Sequence, residues 1–138
     1  MQVIKRNHAY SADQDQKQSS NRAAQAKKQD NDLRLKRAYG SSKVAITKRD
    51  EQLDSIQKQI ILQQRQLRQL QNDRIAYKRQ EAEYFRNGKP VPSVLNDRLK
   101  YNEQNANTTK KSIESLQKTY RTTQTNYEDI INRLKAME

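Results

Sequence analysis

The chain has 138 residues, 28 Lys and Arg against 16 Asp and Glu for a net charge of +12, and only 32% hydrophobic residues. A globular core of ordinary size is excluded, because soluble domains run at roughly 45–50% apolar once glycine is counted. No cysteine and a single histidine, His8, exclude a disulfide framework, a thiolate metal site, a His-based metal centre and a catalytic triad.

Two Gly, two Pro, one Phe and no Trp leave too little turn punctuation and too few core aromatics for sheets. Extended helices with a narrow apolar seam remain. The opening "MQVIKRNHAY" has no apolar stretch after its basic residues and does not read as a secretory signal. The longest aliphatic run, Ile60 to Leu62, is far too short for a transmembrane segment.

Residues 1–40 form a polar basic arm with nine Lys or Arg and four Asp or Glu. Its first thirty residues hold no sustained apolar period and cannot offset their ordering entropy by burial, so the arm reads as disordered or partly helical. A helix over about 21–39 rests on Ala23, Ala24 and Ala26 followed by Leu33, Leu35, Ala38 and Tyr39. Gly40 with Ser41 and Ser42 then reads as a stop and a restart, glycine past one helix and serine as N-cap of the next.

From Ile46 a period of three and four runs through Arg49, Leu53, Ile56, Ile60, Gln63, Leu67, Leu70, Arg74, Tyr77, Glu81 and Tyr84. No Gly or Pro interrupts it, which predicts one helix over about 42–86, roughly 68 Å long at 1.5 Å per residue. The turn follows at Asn87, Gly88, Lys89, Pro90, Val91, Pro92 and Ser93, where one glycine and both prolines gather. Glycine supplies a left-handed stop, Pro90 forbids continuation, and Pro92 either presets the first turn of the next helix or precedes Ser93 as its N-cap.

A second helix, about 93–137, carries the same stepping through Leu95, Leu99, Asn102, Ala106, Thr109, Ile113, Leu116, Tyr120, Thr123, Tyr127, Ile130, Leu134 and Met137. Two helices of matched length and seam joined by a short turn predict an all-α fold: a long antiparallel two-helix coiled-coil hairpin over residues 41–138. Centring the turn near Lys89 sets Tyr77 against Asn102, Ile60 against Tyr120 and Leu53 against Tyr127. Tyrosines in such a seam lay the ring on the partner helix and the hydroxyl at the wet edge, a packing role rather than a ligand role. The polar seam residues Arg49, Gln63, Arg74, Glu81, Asn102 and Thr109 either fix register or snorkel out, and snorkelling is the expectation. A weaker stripe, Ile61, Leu62, Ile75 and Ile131, forms an interaction flank for the 20–39 segment or for a second copy of the chain.

No phosphate-binding glycine loop or nucleophile elbow occurs, and the carboxylate groups Asp50/Glu51/Asp54 and Glu81/Glu83 lie where helix carboxylates are solvated or paired with neighbouring bases. An enzyme is not expected, no cofactor is implied, and there are no catalytic or metal residues to nominate. The positive charge is spread evenly along the chain and interleaved with acids, which favours a solvated helix face over a dedicated nucleic-acid surface.

The segments "LRLKRAYGSSKVAITKRDEQLDSI", "LRQLQNDR" and "NGKPVPSVL" resemble a group of uncharacterised proteobacterial envelope proteins. Those proteins have a signal peptide, often a small N-terminal β unit, and a helical hairpin with a Gly-Lys-Pro-Val-Pro turn. The resemblance covers roughly residues 33–138, with Gly88 to Pro92 and Leu95 as its most specific motif; "HAYSAD" is similar to the end of the β unit, and the signal peptide is not seen. It implies the periplasm or cell envelope of a Gram-negative bacterium and no activity. The expected function is a non-enzymatic hairpin scaffold or protein-interaction module with a protein partner or a second copy. The alternatives are an electrostatic module for nucleic acid or an anionic surface, and a coiled-coil chaperone or secretion-apparatus component.

Overall fold

The structure is a computed structural model that describes the backbone of residues 2–138 and the side chains of residues 13–138. It is all-α, with α1 over Gln2–Tyr39, α2 over Ser42–Arg86 and α3 over Ser93–Met137, and no strand among the described residues. No helix is long and apolar enough to cross a membrane among the described residues. His8 lies outside the described side chains.

In the arm, helix extends beyond the stretch that the composition suggests. Helix α1 runs from Gln2, where the sequence predicts a disordered or partly helical segment with a helix only over about 21–39. The physical reason is local: no Gly or Pro interrupts residues 1–39, and Asp13/Lys17 and Asp30/Arg34 have the favourable acid-before-base spacing of four. Every side chain from residue 13 to residue 31 is nevertheless exposed, so no buried face supports this stretch.

Helix ends follow from local chemistry. Gly40, at φ +80°, donates its N–H to the Lys36 carbonyl at 2.8 Å, the single bond of a left-handed cap. Ser41 is the N-cap of α2: its carbonyl accepts the Ala45 N–H at 3.2 Å and its Oγ accepts the Val44 N–H at 3.3 Å. At the other end of α2, Lys89 N–H reaches the Tyr84 carbonyl at 2.9 Å and Gly88 N–H the Phe85 carbonyl at 3.2 Å, with Gly88 at φ +64°. This is a full Schellman closure. Helix α3 opens on Pro92, whose carbonyl accepts the Leu95 and Asn96 N–H groups at 3.1 and 3.2 Å. Ser93 is therefore the first residue inside α3 and not its N-cap.

The chain divides into two compact units, Met1–Thr47 with Glu128–Glu138, and Lys48–Tyr127. In the first unit the buried residues among those described are Ser42, Ala45, Ile131 and Leu134, with Leu35, Tyr39, Ile130 and Met137 half-buried. In the second unit α2 and α3 pack extensively on each other. Its buried residues are Ile60, Leu95, Leu99, Asn102, Thr109, Ile113 and Tyr127, flanked by half-buried Leu53, Ile56, Leu67, Leu70, Tyr77, Tyr84, Leu116 and Tyr120. Burial thus follows one stripe on each helix. One seam position differs from the sequence reading: Asp73 is half-buried while Arg74 is exposed.

Candidate interaction surfaces

In the first unit, two polar contacts tie residues that are far apart in sequence. Arg133 grips Asp32 with two parallel hydrogen bonds, a fork-to-fork arrangement that places a guanidinium edge on both carboxylate oxygens. The hydrogen bonds from Arg133 hold the Asp32 carboxyl below its ordinary range, and the same bonds raise the Arg133 guanidinium further. Glu138 accepts the Ser42 N–H at 2.7 Å and the Ser42 hydroxyl at 2.9 Å. These bonds lower the Glu138 carboxyl, and they set an anion on the unfilled N–H groups of the α2 start. Beside them Leu33, 52% exposed, shares a shallow hollow with Gln29, Asp32, Lys36 and Met137.

In the second unit the centre of interest is Asn102, only 4% exposed. Its Nδ2 donates to the Leu70 carbonyl at 2.7 Å, while its Oδ1 is buried without a partner. Snorkelling is the expectation for Asn102 and Thr109, yet both are buried, because a side chain this short cannot carry its polar group past the neighbouring turns to water. Arg49, Gln63 and Glu81, with longer stems, are half-exposed. A hollow beside Asn102 is lined by Gln71, Arg74, Glu103, Ala106, Asn107 and Lys110, and another brings Ile60 and Tyr120 together with Gln57 and Gln117.

The residues of the flank read from sequence differ in exposure. Ile61, Leu62 and Ile75 are exposed, whereas Ile131 is 4% exposed inside the first unit and offers nothing to a partner. Sequence reasoning placed Ile131 beside the others by helical projection, and projection carries no information about which side of a helix a third element covers. The turn residues Asn87, Gly88, Lys89, Pro90, Pro92 and Ser93 are exposed and Val91 is half-buried. Around them stand Phe85, Val94 and Tyr101, at 69%, 58% and 66% exposure, which the sequence reading passed over. Each sits one position from a seam residue, and this was the available signal.

No group of three or more His, Asp or Glu side chains that could hold a metal forms among the described residues. Comparison of the chain with protein-family models, with curated proteins and with solved structures finds no match.

Proposed function

We propose that α2 and α3 form an antiparallel two-helix coiled-coil hairpin and that the protein is a non-enzymatic scaffold or protein-interaction module. The supporting observation is the single buried stripe on each helix, joined through a turn whose Schellman closure and paired prolines direct the chain back. Such a rod buries its seam against itself and leaves Ile61, Leu62 and Ile75 on its outside, open to a partner. The envelope location implied by the turn motif belongs to the same proposal, and cell fractionation of the native source tests it.

The helix pairing is tested with cysteines at Gln57 and Gln117, two exposed residues that line one hollow. A short bis-maleimide is expected to join them within one chain and give a faster-migrating monomer. Crosslinking only between chains would overturn the intramolecular hairpin.

A second reading, electrostatic binding of nucleic acid, is favoured by one observation: α1 exposes Lys17, Arg22, Lys27 and Lys28 along a stretch that buries nothing. Its mark is steep weakening with salt. Absence of any RNA or DNA retardation at low ionic strength would remove it.

A further inference from the structure

Three of the most exposed large apolar side chains, Phe85, Val94 and Tyr101, lie around the turn between α2 and α3. The ion pairs at this end are Lys78 with Glu81 and Arg86 with Glu83. Arg79, Lys89, Arg98 and Lys100 are exposed and take part in no ion pair among the described residues, and they outnumber the exposed unpaired acids at this end, Asp97 and Glu103. Apolar and aromatic groups are thus interspersed with free cations.

Their placement decides what kind of partner fits. Phe85 follows the half-buried Tyr84, whereas Val94 and Tyr101 precede the buried Leu95 and Asn102. On right-handed helices running in opposite directions, one position after the seam and one position before it fall on opposite flanks. The apolar side chains therefore lie on both flanks of the end of the hairpin instead of forming one face. A folded protein surface covers a face, while a fluid interface surrounds an end.

We propose that the turn end is a tip that enters the headgroup layer of an anionic lipid bilayer, with the turn leading, Phe85 and Val94 flanking it and Tyr101 behind them at headgroup level. Seven residues separate Val94 from Tyr101, roughly 10 Å along the helix, comparable to the ~5–10 Å to which interfacial segments bury their apolar side. Tyrosine is suited to that depth by its apolar ring and polar hydroxyl. Arg98 and Lys100 meet the lipid phosphates, Lys89 reaches back toward them from the turn along its flexible stem, and the left-handed Gly88 with Pro90 and Pro92 keeps the tip closed. The inference rests on the antiparallel pairing proposed above.

The test is cosedimentation of the full chain with vesicles of phosphatidylcholine alone or mixed with phosphatidylglycerol. Binding is expected to the mixed vesicles only. The triple variant Phe85→Ser, Val94→Ser, Tyr101→Ser is expected to lower partitioning by about tenfold or more, and Lys89→Glu with Arg98→Glu to abolish the preference for anionic lipid. The Gln57–Gln117 crosslink is measured on the same proteins. No binding to mixed vesicles with the crosslink formed overturns the tip alone, as does a triple variant that binds like its parent. Failure of the crosslink in the parent overturns the pairing and the flank argument with it. Capture of an acidic protein by a photo-crosslinker at position 85, without vesicle binding, also overturns the lipid assignment.

Discussion

Arg133 donates Nε to Oδ1 and Nη2 to Oδ2 of Asp32, both at 2.5 Å, across 101 positions of sequence. This contact ties α1 to α3 in the first unit. Among its described side chains α1 otherwise buries little, so Asp32→Ala or Arg133→Ala is expected to raise amide exchange over residues 32–40 several-fold while leaving the second unit unchanged. Hydrogen-exchange mass spectrometry reads both. Unchanged protection in the first unit would show that Leu35 and Tyr39 alone hold the α1 end.

Two carboxylates in this unit, Asp32 and Glu138, are held below their ordinary values by the bonds they accept. A depressed folded pKa contributes stability that is present above the unfolded value of about 4 and is lost as pH falls through the folded value. Arg133, raised, loses its contribution only in strong alkali. Protection of residues 32–42 should therefore be level from neutral pH to about 5 and decline below about 4. Constant protection into strong acid would uncouple both contacts from the packing.

Asn102 holds one bond and one orphan oxygen in a buried seam. Asn102→Leu removes the unsatisfied acceptor, leaves the Leu70 carbonyl its helix partner, and adds apolar burial. Urea unfolding is expected to show a gain of about 1–2 kcal/mol. The gain should come with lost specificity, seen as association in sedimentation equilibrium, since one buried Asn can set register and oligomer state. A stabilised strict monomer would limit Asn102 to a local role.

Gly40 and Gly88 both have positive φ, and a Cβ at either would meet nothing within 4 Å. Alanine there costs backbone strain without a clash, about 1–2 kcal/mol at each site. Asparagine, which tolerates the left-handed region, should cost less than alanine at both. Equal losses would mean that strain is not the controlling factor.

Leu134, 2% exposed, and Leu62, 63% exposed, are the same residue type at opposite extremes of burial. Leu134→Ala is expected to cost about 3 kcal/mol, and Leu62→Ala to stay within about 0.5 kcal/mol. Thermal unfolding followed by circular dichroism distinguishes them. A large loss at Leu62 would reveal a self-associated state that covers it.

Much of this molecule was legible in the chain because it rests on local rules. The all-helical class follows from the shortage of Gly, Pro and aromatics, and the left-handed glycines follow from their position after polar helix ends. Stepping by three and four from Ile46 and from Leu95 finds nearly every buried or half-buried position of the second unit. It fails at Arg74 because Asp73 lies on the other side of the same stripe. The helix over residues 2–20 goes beyond the sequence reading because composition argues from missing burial, whereas backbone helix bonds are local and no Gly or Pro interrupts them here.

By itself, then, the sequence determines that the chain is helical, which stripe of each long helix is apolar, and where left-handed residues must stop them. These depend on neighbours within a turn or two. The tertiary structure alone decided that Ile131 is covered while Ile61 and Ile75 stay open, that Asp32 meets Arg133, that Glu138 fills the start of α2, and that Asn102 is buried with one oxygen unpaired. Those outcomes depend on which distant groups share a small volume, and three-and-four periodicity describes one helix at a time.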